Sequence, residues 1–119
     1  MNENELKLRM KRMAIRVIHL VDSLPSNPSA EVLGKQLVRS ATSVAANYYS
    51  ACKGRSRAEF LSKLGIVEEE ADETQLWIEM IGESSIVPAN RLKDLLLEIR
   101  EITAIVAASR ITLKKHLKR

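Results

Sequence analysis

The chain has few of the residues from which most active sites are built. Its 119 residues include one cysteine, two histidines, four glycines, one tryptophan, one phenylalanine and two tyrosines. Cys52 has no partner for a disulfide and no second Cys or His near enough in sequence for a zinc site, so it reads as a small buried hydrophobe. The scattered glycines form no phosphate-cradling loop, and no serine has a His or Lys base at a recognisable spacing. Neither His19 nor His116 has a Glu three residues earlier. The Glu-x-x-His pairs of a di-iron bundle are therefore missing, and the acidic run Glu68, Glu69, Glu70, Asp72 and Glu73 has no metal role. No apolar run approaches the roughly 18 residues of a membrane span. The opening MNENELKLRMKRM has no uninterrupted apolar core of a signal peptide. The expectation is a cytoplasmic protein that is not an enzyme, with no cofactor, no metal site, no catalytic residues and no membrane partner.

What is present is helical periodicity in a chain that is 45% hydrophobic, enough for one compact domain over residues 1–119. Leu6, Met10, Met13, Val17, Leu20 and Leu24 step by three and four residues, predicting a helix over about 5–24. Pro25 and Pro28 break it, and Ser29 is placed to cap a second helix over about 30–53 with the stripe Leu37, Ala41, Val44, Ala45 and Tyr48. Gly54 suits a left-handed helix end, and Ser56 with Glu59 forms a capping box for a third helix over about 57–82. Its stripe is Phe60, Leu64, Val67, Ala71, Thr74, Ile78 and Ile81, with Gly82 as its close. Pro88 opens a fourth helix to about 117, striped by Leu92, Leu95, Leu96, Ile99, Ile102, Val106, Leu113 and Leu117. No β-type alternation occurs. Long helices with short connections pack against their chain neighbours, so the predicted fold is all-α, an antiparallel up-down-up-down four-helix bundle.

Several helices carry a second apolar set roughly opposite the first. Leu8 and Ile15 do so on helix one, Ile66, Trp77 and Met80 on helix three, and Leu97, Ala104, Ala108 and Ile111 on helix four. One bundle cannot bury both faces, so these residues are the expected contacts of a homo-oligomer. Ser40, Ser43 and Asn47 make a polar edge on helix two that requires hydrogen-bond partners. Arg39 is expected to meet Glu70 and Glu73, and together these six residues read as a structural polar network.

The net charge of +4 permits a polyanionic partner, and antiparallel topology makes that reading sharper. It brings three basic segments to one end: Lys7, Arg9, Lys11 and Arg12; Lys53, Arg55 and Arg57; and Lys114, Lys115, Lys118 and Arg119. Such a cluster suits phosphate backbones. With so few aromatics to stack on bases, the expected binding to RNA or DNA has little sequence preference. The alternative is a protein-interaction scaffold.

The segment QLVRSATSVAANY, followed by CKGRSRAEFLSKLGIVEEEADETQLW, resembles the signature of the bacterial four-helix-bundle family encoded by 23S ribosomal RNA intervening sequences. Arg39, Ser40, Ser43, Asn47, Ser56, Glu59 and Phe60 carry the resemblance, and Glu70, Ala71, Glu73 and Trp77 match a branch with an acidic third helix. Ala45 and the Tyr49, Ser50, Ala51 run depart from the commoner pattern. The resemblance implies a homopentameric ring without enzymatic activity. It also implies kinship with the accessory variability protein of diversity-generating retroelements, and hence nucleic acid and a reverse transcriptase as partners.

Overall fold

A helix with one apolar stripe is stable only when another element covers that stripe, and four such helices in one chain can cover one another. The computed structural model, which describes residues 1–117, shows this arrangement. Its helices are α1 (Glu3–Asp22), α2 (Pro28–Ala51), α3 (Arg57–Glu83) and α4 (Ala89–Leu117), with no strand among the described residues. Neighbours in the chain are neighbours in space, and α1 closes the bundle against α4. The result is a rod of 51 × 21 × 21 Å. The predicted stripes form its core: Met10, Met13, Val17, Leu37, Val44, Leu64, Val67, Ile78, Ile81, Ile99, Ile102 and Val106 are all fully buried.

The helix ends show where local chemistry differs from the simplest reading. α1 begins two residues earlier than predicted because the Asn2 side chain accepts the Glu5 amide at 2.9 Å. α2 is capped by Asn27, which accepts the Ala30 amide at 2.9 Å, and not by Ser29. Pro28 has no amide to leave unpaired and a backbone angle already helical, so it occupies the first turn and the cap falls on the residue before it. Ser56 caps α3 as expected, accepting the Glu59 amide at 3.1 Å. The returning Glu59 carboxylate takes the Arg55 amide at 3.3 Å, one residue earlier than a standard capping box.

Gly54 is not left-handed. α2 ends in tight right-handed turns instead, and a Cβ at Gly54 would lie 3.0 Å from the Ala51 carbonyl oxygen, so glycine serves close approach there. The left-handed helix end follows α3, which runs one residue past Gly82. Ser85 has φ of 62°, its amide donates to Gly82, and the Ile86 amide donates to Ile81 at 3.2 Å. This is the six-to-one and five-to-two pattern of a Schellman close, with serine where glycine is usual.

Helix lengths also decide how far the core extends. At about 1.5 Å per residue α1 spans roughly 30 Å and α4 roughly 43 Å. Met1 lines a notch with Phe60, Ile105, Leu113 and His116, so the last turns of α4 have no α1 alongside them. Leu113 is consequently half-buried and Leu117 exposed, although both lie on the predicted core stripe.

One polar pair is enclosed in this core. Ser40 and Thr74 are both fully buried, with their hydroxyl oxygens 2.9 Å apart across α2 and α3. The Leu37 and Glu70 carbonyls are the other acceptors, so one proton bridges the pair and the second goes to a carbonyl.

Two stability outcomes follow from these local arrangements. Ser85→Gly should raise stability by up to about 1 kcal/mol, because the Cβ strain of a left-handed serine is removed. Thr74→Ala should cost about 1 to 3 kcal/mol, and Ser40→Ala with Thr74→Val together less than the sum of the single changes, because neither hydroxyl is then left alone. Denaturant titration of the variants measures both.

Candidate nucleic-acid interface

Antiparallel packing brings the start of α1, the turn between α2 and α3, and the end of α4 to one end of the rod. Each of these segments is rich in lysine and arginine. A cation attracts a phosphate only to the extent that no carboxylate already neutralises it, so the pairing of each side chain decides the value of the cluster.

Arg9, Arg39, Arg100 and Arg110 are paired with glutamates among the described residues, and Lys63 is held by a hydroxyl. Arg9 donates to both carboxylate oxygens of Glu98, at 2.6 and 3.1 Å, and to Glu101 at 3.2 Å, which fixes α1 against α4. The Glu98 hydrogen bonds hold its guanidinium well above the ordinary range against the opposing cost of burial. Arg9 is therefore removed from the expected phosphate contacts. Arg110 pairs with Glu68 across α3 and α4, and Lys63 donates to the Ser50 hydroxyl at 2.6 Å. Arg39 donates to Glu70 at 3.1 Å and to Glu73 at 2.9 Å within the same chain, fixing α2 against α3.

The remaining members of the cluster have no ion-pair partner among the described residues: Lys7, Lys11 and Arg12 on α1, Lys53, Arg55 and Arg57 around the turn, and Lys114 and Lys115 on α4. Lys118 and Arg119, expected to join them, lie outside the described residues. The nearby acids are partly occupied, since Glu5 accepts from the Asn2 amide group and Glu59 from the Arg55 backbone.

A feature of this end that sequence reasoning passed over is Tyr49. Tyr48 points into the core and is 4% exposed, whereas Tyr49, a step of about 100° round the helix, is 53% exposed. The Lys53 ammonium lies 4.4 Å from the centre of its ring and the Lys7 ammonium 5.3 Å. The four-residue step from Tyr49 to Lys53 was the available signal, and the approach of Lys7 from α1 was not readable without the fold. The ring closes one end of a groove of ≈ 650 Å³ between α1 and α2, floored by Leu8, Ala14, Ile15, Ala45 and Ala46.

The polar edge of α2 divides. Ser40 reaches Thr74 in the core, whereas Asn47 donates only to Ser43, at 2.9 Å to its carbonyl and 2.8 Å to its hydroxyl, one turn back on the same helix. Cys52 is half-buried near Tyr48, and burial raises its thiol above the ordinary range, which keeps thiolate scarce. Among the described residues no three His, Cys, Asp or Glu side chains are placed to hold a metal ion. No helix among them is long and apolar enough to cross a membrane.

Of the expected oligomer contacts, Leu8, Ile15, Ile66, Met80, Leu97, Ala104, Ala108 and Ile111 are all exposed. Trp77 differs. It is half-buried against the core with its indole nitrogen enclosed, on the flank of α3 that also carries Glu70 and Glu73, the partners of Arg39 on α2. Leu76 holds the outward position beside Met80 instead.

The comparisons with known proteins agree with this architecture. A crystal structure of a protein of unknown function from the S23 ribosomal protein family of Bacteroides thetaiotaomicron superposes with a TM-score of 0.85 at 29% sequence identity, over 92% of this chain and 98% of that one. No curated protein matches the chain. The family model for the 23S rRNA-intervening sequence protein matches residues 2–108, which takes in α1, α2, α3 and most of α4, and the chain belongs to that family.

Proposed function

We propose that this protein is a non-enzymatic, self-associating bundle of the cytoplasm that holds RNA or DNA backbones through its basic end. The observation that carries the reading is the convergence of unpaired cations from three segments on one end of the rod. Eight lysines and arginines gathered from three separate segments have no carboxylate partner among the described residues, while Arg9, Arg39 and Arg110 are each committed to glutamates that join helices. Counterion release from a phosphate backbone favours binding to such a surface whatever the base sequence.

Self-association is supported by the unpartnered outer faces. Leu97 is 52% and Ile111 58% exposed on α4, beside the small Ala104 and Ala108 that admit a close neighbour helix. Five copies are favoured on the family resemblance. The same exposed faces favour a second reading, a scaffold for another protein such as a reverse transcriptase.

Filter binding across a salt series tests the first reading, with light scattering run on the same sample. The particle should be several times the 13.4 kDa of one chain. Affinity should fall on the order of 10³-fold or more between 50 and 200 mM salt if six or more phosphates are neutralised. Replacing Arg55, Arg57, Lys114 and Lys115 with Ala should flatten the slope and leave the particle mass unchanged. No binding to RNA or DNA even at 50 mM salt would leave the scaffold reading in its place.

A further inference from the structure

An aromatic ring attracts cations to its face without neutralising them, because the attraction comes from a quadrupole and not from a charge. Tyr49 does this twice. Lys53 and Lys7 come to its ring from different segments, at 4.4 and 5.3 Å from the centroid, and neither has an ion-pair partner among the described residues. Two positive charges are thus held at one place, with the Glu3 carboxylate nearby beside Cys52 but in no ion pair with either among the described residues. Beside them the ring borders the groove between α1 and α2, lined by Leu8, Ala45, Ala46 and Lys11, of which Leu8 is also an expected oligomer contact. Its ≈ 650 Å³ is within the ordinary range for a small organic ligand. The site therefore offers an apolar lining, an aromatic ring and two ammonium groups that share that ring.

A nucleotide with an unpaired base has the matching parts: a flat ring to lie on the surface of Tyr49 that the lysines leave exposed, and a phosphate to meet their ammonium groups. A duplex has only the phosphates to offer, since its bases are stacked on one another. We infer that Tyr49, Lys7 and Lys53 form a stacking site for an unpaired nucleotide, which makes the basic end selective for single-stranded over double-stranded nucleic acid. This rests on the nucleic-acid reading above and narrows its partner. Backbone attraction alone predicts no loss of affinity on removing a neutral ring, so Tyr49 separates the two ideas.

Fluorescence anisotropy with a labelled 12-nucleotide single-stranded RNA and its blunt-ended duplex, at 100 mM salt, provides the test. Wild type should bind the single strand more tightly. Tyr49→Ala should weaken that binding about 5- to 100-fold, the range for loss of one stacked base, and leave duplex affinity and the salt slope unchanged. Tyr49→Phe should keep the preference. If Tyr49→Ala has no effect, or weakens both probes equally, the stacking site is wrong while backbone binding stands. If neither probe binds wild type at any salt concentration, both ideas fail. Circular dichroism and light scattering accompany the variant, and a Tyr49→Ala protein that falls apart into monomers would assign the ring to a subunit contact and overturn the site.

Discussion

Every helix must bury one apolar stripe, and the three connections, residues 23–27, 52–56 and 84–88, are only five residues long. That pair of constraints decides nearly everything else. So short a link returns the chain along the helix it has just left, so each stripe meets the next and the antiparallel order is fixed. The same constraint places basic segments that are remote in sequence at one end of the rod. The charge cluster is thus a consequence of topology. A long crossover between α1 and α2 would separate the α1 cations from those of the α2–α3 turn.

Ion pairs then select how the seams close. Arg9 with Glu98 and Glu101 joins α1 to α4, Arg39 with Glu70 and Glu73 joins α2 to α3, and Arg110 with Glu68 and Arg100 with Glu79 join α3 to α4. The partly exposed pairs add little stability, but they set the register of helices whose apolar stripes alone would permit sliding. The α1–α2 seam has no such pair among the described residues. The backbones approach closely at Gly34, where a Cβ would lie 3.0 Å from a Val21 methyl group; the seam carries one surface groove of ≈ 520 Å³ beside Val21, Gly34 and Val38 and another of ≈ 650 Å³ at Tyr49. The larger of the two lies where unpaired lysines meet an exposed ring.

Much of this was legible in the sequence, because period and spacing determine which residues share a face. The four helices, their core stripes, the Ser56 cap and the Arg39 pairing with Glu70 and Glu73 all follow from such counting. What was not legible depends on relations between helices. Leu117 has the right period for the core but no α1 beside it, and Arg9 has the right charge for phosphate but faces Glu98 across a seam. Trp77 was placed outward by a helical wheel that cannot show how far α2 overlaps the flank of α3. Tyr49 was counted among too few aromatics to matter, whereas its position beside Lys7 gives one ring more weight than composition suggests.

The central claim is that topology gathers unpaired cations from three basic segments at one end and that nucleic acid binds there. Hydrogen–deuterium exchange of the intact protein with and without a short single-stranded RNA tests it most directly. Added RNA should slow exchange at the start of α1, from Tyr49 through Arg57, and over the last turn of α4, and leave the Leu24–Pro28 and Ser84–Pro88 connections at the far end unchanged. Protection centred on those far connections, or no change anywhere at a saturating RNA concentration, would contradict the account.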